Sequence, residues 1–192
     1  MSRLTGSKTE KNLLAAFAGE SQARNRYTYA SGVARKEGYL QIAALFEETA
    51  DNEKEHAKRF FNFLEDGQGL EITATYPAGK IGTTADNLAA AAAGEHEEWS
   101  VLYPAAAKIA KDEGFSDVAA AFTMIAQVEK EHEARYQKLL DNVRGQKVFK
   151  KEGPARWKCR NCGFVHEGPE APAKCPACLH AQSYFEIKEA TY

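Results

Sequence analysis

Apolar side chains recur at steps of three and four over four long stretches of the chain. They run through Leu13, Phe17, Tyr27 and Ala34; Phe46, Ala50, Ala57, Phe60 and Leu64; Leu88, Ala92, Trp99, Leu102 and Ile109; and Val118, Phe122, Ile125, Tyr136 and Leu139. Such stripes predict four amphipathic helices. Ser7 caps the first, with Glu10 reaching back to it, and Gly38 ends it. The second carries Leu40 through Leu64 and stops near Gly67. The third starts after Thr83 or Thr84 and ends at Gly114, and the fourth is capped by Ser116 and continues to about Asn142. Residues 67–84 are rich in Gly, Thr and Pro. So long a connection crosses a bundle from end to end, which predicts an all-α four-helix bundle with one long crossover.

Each stripe is interrupted by a glutamate where a core residue belongs: Glu20, Glu53, Glu95 and Glu129. An unpaired ionised carboxylate at such a position costs several kcal/mol and needs a cation or hydrogen bonds. No Lys or Arg falls on the same stripes nearby, which weighs against a buried salt-bridge network. Glu53-Lys54-Glu55-His56 recurs as Glu129-Lys130-Glu131-His132, so two of the glutamates have a histidine three residues on, on the same helix face. Four inward carboxylates and two imidazoles form the ligand inventory of carboxylate-bridged di-iron or di-manganese bundles. Glu98, three residues after Glu95, is a candidate seventh ligand where the first helix has Ala23. Glu55, Glu131 and Glu133 turn off the stripes and read as surface charges. Tyr27 and Tyr103 read as core aromatics whose hydroxyls face the ligand carboxylates.

The two halves match beyond the tetrapeptide. Ala18-Gly19-Glu20 returns as Ala93-Gly94-Glu95, 75 positions on, whereas A-R-K-E-G-Y at 34–39 returns as A-K-D-E-G-F at 110–115, 76 positions on. A helix pair has been duplicated, with one residue gained inside the third helix. Pro104 in that helix removes the backbone bond to the Ser100 carbonyl. This leaves either a tolerated kink or a distortion that adjusts the nearby carboxylates.

Past Gly145 the pattern changes to a basic, helix-breaking linker. All four cysteines follow it, as Cys159-x-x-Cys162 and Cys175-x-x-Cys178. Two such knuckles specify a tetrahedral four-sulfur site for zinc or a single iron, in a module too small to fold without its metal. The expected division is therefore a bundle over 1–146 and a cysteine module over 147–192. A net charge of −2 argues neither for nor against nucleic acid or a membrane as partner, and the basic cluster Lys147, Lys150, Lys151, Arg156, Lys158 and Arg160 reads as a solvated linker or a docking patch for an acidic electron carrier. No apolar run reaches spanning length and the first residues are too polar for a signal peptide. The expectation is a cytoplasmic protein with neither a membrane nor nucleic acid as partner.

Taken together, A-G-E-H-E-E-W, W-K-C-R-N-C-G-F and C-P-A-C, on four Glu-bearing helices with a crossover, resemble the rubrerythrin family over nearly the whole chain. The resemblance implies a ferritin-like bundle holding a non-haem di-iron centre, joined to a rubredoxin-like domain with one iron, replaceable by zinc, on Cys159, Cys162, Cys175 and Cys178. It implies Glu53 and Glu129 as bridging ligands, Glu20 and Glu98 on one iron, Glu95 and His132 on the other, and His56 exchanging with Glu98 as the first iron changes oxidation state. It further implies reduction of hydrogen peroxide in anaerobic or microaerophilic prokaryotes. Electrons would come from NADH through carriers such as rubredoxin or its reductase, in a head-to-tail homodimer. One departure stands out: Leu179 follows the second knuckle where small rubredoxins have glycine, so one backbone contact to sulfur is expected to differ.

Overall fold

The computed structural model describes residues 3–65, 67 and 69–189, so the outer ends of the two expected domains, 1–2 and 190–192, lie outside the described residues. Helix α1 is Lys8–Lys36, α2 Leu40–Phe61, α3 Thr84–Glu97, α4 Tyr103–Asp112 and α5 Ser116–Arg144. A π-helical segment, Glu98–Leu102, joins α3 to α4, so the expected third helix is one interrupted rod. α1 packs along α2, and the α3–α4 rod packs along α5. The stretch between α2 and α3, in which none of the described residues is helical, connects these two pairs. Among the described residues, no helix is long and apolar enough to cross a membrane.

Local chemistry sets the ends. The Ser7 hydroxyl accepts the Glu10 N–H, but Glu10 Oε2 takes the N–H of Gly6 rather than that of Ser7. Both helical hairpins turn through a glycine in the left-handed region, Gly38 at φ 86° and Gly114 at φ 88°. In each, the next N–H returns to a carbonyl five residues back, Tyr39 to Ala34 and Phe115 to Ala110. That return makes Phe115, not Ser116, the residue at the head of α5, because its carbonyl accepts the first helical bond, from Ala119. The second helix ends at Phe61, short of Leu64, in bonds from Phe63 to Phe60 and Leu64 to Phe61 that tighten the last turn.

The core lies in two apolar clusters. One holds Ala23, Tyr27, Ile42, Phe46, Leu88, Tyr136 and Leu140, and the other Leu13, Phe60, Tyr103, Val118, Phe122 and Ile125. On every helical rod the glutamate of the stripe falls between them. The duplication's extra residue is absorbed at the π segment, where the Tyr103 N–H bonds to the carbonyl of Glu98, five back. Pro104 follows at the start of α4, so its missing N–H falls where the α-helical pattern is already broken.

Strands β1 (Lys150–Cys159), β2 (Val165–Glu170) and β3 (Phe185–Ile187) form an antiparallel sheet in the order β2-β1-β3. Trp157, Cys159, Ala171, Cys175 and Phe185 are its small core. The Tyr39 ring at the α1–α2 turn stacks on Phe149, with centroids 6.2 Å apart. The two knuckles share one backbone design. Gly163 N–H returns to Cys159 O and Leu179 N–H to Cys175 O, both at 2.9 Å. Gly163 sits at φ 79°, and Leu179, although a leucine, at φ 64°. Because Leu179 takes the glycine conformation, the contact expected to differ is kept: the N–H groups of Phe164 and His180 bond to Cys162 and Cys178 alike. A left-handed leucine costs about 1–2 kcal/mol, partly offset by the freedom glycine has when unfolded. Leu179→Gly should therefore stabilise the module by about 0.5–1 kcal/mol, read as a higher guanidinium midpoint for loss of thiolate-to-metal absorption. An unchanged or lower midpoint would show that the knuckle carries no strain there.

Candidate metal centre

The i, i+3 spacing on α2 and α5 turns Glu53 with His56, and Glu129 with His132, toward the bundle axis, where Glu20 of α1 and Glu95 of α3 meet them. Two overlapping sets result, each with ligand atoms within 4.8 Å of one another: Glu20, Glu53, Glu129 and His56, and Glu53, Glu95, Glu129 and His132. Glu53 and Glu129 belong to both. His56 Nδ1 lies 2.9 Å from Glu53 Oε2, 2.9 Å from Glu129 Oε1 and 3.9 Å from Glu20 Oε1. His132 Nδ1 lies 2.8 Å from Glu129 Oε2, 3.2 Å from Glu53 Oε1 and 3.9 Å from Glu95 Oε2. The imidazoles face each other with centroids 6.0 Å apart.

All four shared or terminal glutamates are at most 1% exposed. Among the described residues, Glu20 Oε2, Glu53 Oε1, Glu95 Oε2, both oxygens of Glu129 and His132 Nδ1 make no well-directed hydrogen bond, although several lie in close contact with one another. Buried polar atoms left unpaired while converging on one another are what a cation site needs and a finished core avoids. Two divalent ions would neutralise the four carboxylates, and hard oxygens with one imidazole per ion suit iron. The tyrosines fix the outer oxygens crosswise between the halves of the duplication. Tyr27 Oη donates to Glu95 Oε1 at 2.5 Å, and Tyr103 Oη donates to Glu20 Oε1.

Burial first, then the other carboxylates, hold Glu20 and Glu95 well above the usual carboxylate range. Burial raises Glu53 too, but the adjacent imidazoles of His132 and His56 outweigh it and bring it to about 2. Burial lowers both histidines, yet Glu129 and Glu53 raise His56 to about 10 and His132 to about 9. Without a cation, protons take its place.

Glu98 stands outside both sets. It is half-buried at the π segment, and burial followed by Glu129 and Glu53 pushes it up to about 8. The first set is completed by His56 instead. Glu133, expected as a free surface charge, is partly buried and accepts the Trp99 Nε1–H at 2.5 Å, with His96 Nδ1 at 3.1 Å. The π turn brings Trp99 over α5, and no helical periodicity announces that contact.

The four cysteines form a third set. Cys159 and Cys178 Sγ are 3.7 Å apart, as are Cys162 and Cys175 Sγ. Sulfurs about 2.3 Å from a central ion in a tetrahedron lie about 3.8 Å apart, so the set fits one metal ion. The His180 N–H leads in drawing the Cys178 thiol down to about 6, while the Phe164 N–H lowers Cys162 but is outweighed by the neighbouring sulfurs and burial, which push it up to about 12.

Both parts of the chain have relatives among known proteins. The rubrerythrin family profile matches residues 11–140, and the profile of the rubredoxin-like domain of rubrerythrins matches 157–186. A rubrerythrin of Porphyromonas gingivalis is 60% identical over 98% of this chain and 94% of its own length. One of Clostridium perfringens is 57% identical over the whole of both chains. The structure of fully reduced, all-ferrous nigerythrin superposes with a TM-score of 0.64 at 32% identity, covering 97% of this chain and 92% of that one.

The proton load of the ligands gives a signed prediction. Raised pKa values at His56, His132, Glu20 and Glu95 mean that the metal-free fold binds more protons than the unfolded chain above about pH 5. The stability they give is complete below the unfolded values and is lost as pH rises through about 9 and 10 at the histidines. Glu53 acts oppositely, but its stabilisation is already full above about pH 5. Chelator-stripped protein should therefore melt at falling temperature from about pH 5 to pH 10, while metal-loaded protein should change far less. A metal-free melting temperature that rises across this range would contradict the assignment.

Proposed function

The chain belongs to the rubrerythrin family, and from that premise we propose that it is a peroxidase reducing hydrogen peroxide to two waters. The observation that carries this is the presence, in one chain, of two ligand sets sharing Glu53 and Glu129 and a separate four-thiolate set. Bound irons would supply the redox chemistry: a pair of electrons to the O–O bond at the bundle site, replenished singly through the cysteine site. Glu53 and Glu129 would hold both ions, Glu20 and His56 would complete one set, and Glu95 and His132 would complete the other. Glu98 would be the alternative carboxylate for the first set, in exchange for His56.

Cleaving the O–O bond consumes two protons as well as two electrons. Burial keeps the hydroxyls of Tyr27 and Tyr103 protonated, so each holds a proton on a ligand carboxylate and fixes its orientation. Glu98, near neutral in its pKa and half-buried, is the group placed to carry protons inward. Cys159, Cys162, Cys175 and Cys178 are all committed to metal, which leaves no thiol to act as a nucleophile on peroxide. The electrons would originate from NADH and arrive in the cytoplasm through a carrier such as rubredoxin or its reductase. The cysteine site of one protomer would feed the bundle site of its partner in a head-to-tail homodimer, with residues 1–146 and 147–192 as the two functional units.

Two measurements test this reading. Glu98→Ala should leave the bundle folded and metal-loaded through the six remaining ligands, yet slow peroxide reduction by about 10-fold or more, as loss of a positioned proton carrier does. Unchanged turnover would make Glu98 a bystander. A chain truncated before Lys147 should, once chemically reduced, consume about one peroxide per bundle site in stopped flow, as two electrons per O–O bond require. Its steady-state rate with a protein donor should collapse. Equal steady-state rates for truncated and full-length protein would end the relay role of the cysteine site.

A further inference from the structure

The repeated Ala-Gly-Glu motif has a second consequence beyond its glutamates. Gly19 and Gly94, each immediately before a ligand carboxylate, line one cavity of about 460 Å³ between α1 and the α3–α4 rod. Crossover residues 73–77 line it as well, and the Tyr76 hydroxyl donates to Ala15 O at 2.8 Å, which holds this strap across the opening. Both glycines keep the cavity open. A Cβ at Gly19 would meet the Tyr76 ring at 3.7 Å, and one at Gly94 would meet nothing nearer than Arg26 Nη2 at 3.9 Å. At the inner end stand Glu98 and Tyr103, whose hydroxyl donates to Glu20.

Hydrogen peroxide does not need this space. At roughly 30 Å³ per water, the cavity equals about fifteen waters, and its volume falls in the roughly 300–1,000 Å³ range of sites for organic ligands. Its walls are mixed, with Asn12, Gln22, Thr73 and Thr75 contributing polar groups. Ala15, Ala16, Leu102, Ala106 and Phe122 line it with apolar surface, leaving Glu97, Glu98 and Arg26 as its charged groups. One guanidinium facing two carboxyl groups gives the cavity no excess of positive charge to hold an anion and leaves a neutral occupant unopposed.

We infer that this cavity admits neutral organic hydroperoxides, with the alkyl or aryl group against Ala16, Ala106 and Phe122 and the hydroperoxide end toward Glu98. The inference rests on the peroxidase reading and extends its substrate class. The reaction is ROOH + 2e⁻ + 2H⁺ → ROH + H₂O. The O–O bond breaks, the hydroperoxide is reduced, and both electrons come from the reduced metal pair that serves hydrogen peroxide, replenished by the same protein donor.

The experiment uses the full-length, metal-loaded protein. Reduced protein is mixed anaerobically with hydrogen peroxide or cumene hydroperoxide in stopped flow, and the alcohol formed is quantified. Binding of the unreactive product 2-phenyl-2-propanol to the oxidised protein is followed by calorimetry. Cumene hydroperoxide should be reduced with stoichiometric alcohol, and the alcohol should bind saturably. Gly94→Leu, which adds a side chain where the nearest atom leaves room, should lower the cumene-to-hydrogen-peroxide rate ratio and the alcohol affinity by about tenfold, a loss of one decade in each constant. Ala15→Phe, at a second wall, should act in the same direction and stands in should the first variant fail to fold. Reduction of hydrogen peroxide without reduction of cumene hydroperoxide would overturn the inference and leave the peroxidase reading intact. So would organic turnover that both filled variants retain. Failure to reduce either peroxide would overturn the peroxidase reading and this inference with it.

Discussion

Four carboxylates buried at one level of a helical bundle are the constraint from which the rest of this structure follows. Glu20, Glu53, Glu95 and Glu129 form a polar layer between two apolar clusters, and each cluster is closed by large side chains such as Phe46 and Tyr136 above or Phe60 and Phe122 below. Packing excludes water from the layer, so its charge must be met from within. Protons on His56, His132, Glu20 and Glu95 meet it in the absence of metal; cations meet it with far better geometry, because the unpaired oxygens already converge. Apolar burial on either side thus enforces the polarity of the middle.

The duplication supplies this layer at little cost in new sequence, since one helix pair folded twice brings two glutamates and one histidine from each copy. Its symmetry is expressed in the crossed tyrosine bonds, Tyr27 to Glu95 and Tyr103 to Glu20. The single added residue breaks that symmetry. A helix that must keep both Glu95 and Tyr103 facing inward, with one residue too many between them, widens locally into a π turn. Glu98 and Trp99 sit on that turn. One carboxylate is thereby placed beside the cavity, and an indole is turned onto Glu133 of α5.

The cysteine module obeys a different economy. With five buried residues as its core among those described, it lacks the apolar area to hold itself together, and an ion held by its four sulfurs would supply the missing free energy. Its knuckles are held by backbone geometry rather than by side-chain identity. That is why Leu179 can stand where glycine is expected and still direct the His180 N–H onto Cys178.

The amino-acid pattern by itself determined the helical rods, the inward glutamates, the Glu-x-x-His pairs and the four-sulfur set, because each is a matter of periodicity or short spacing along one element. It also registered the extra residue of the third helix, as a shift in the repeat. Tertiary structure alone decided the rest. Whether that residue becomes a kink, a bulge or a π turn depends on which side chains the partner helices hold in place. The exclusion of Glu98 from both ligand sets, the capture of Glu133 by Trp99 and the shared cavity of Gly19 and Gly94 arise between helices distant in sequence. The ends of α2 and α5 moved by one to three residues for a related reason: the hydrogen bonds of the closing turns, not the apolar stripe, set where a helix stops.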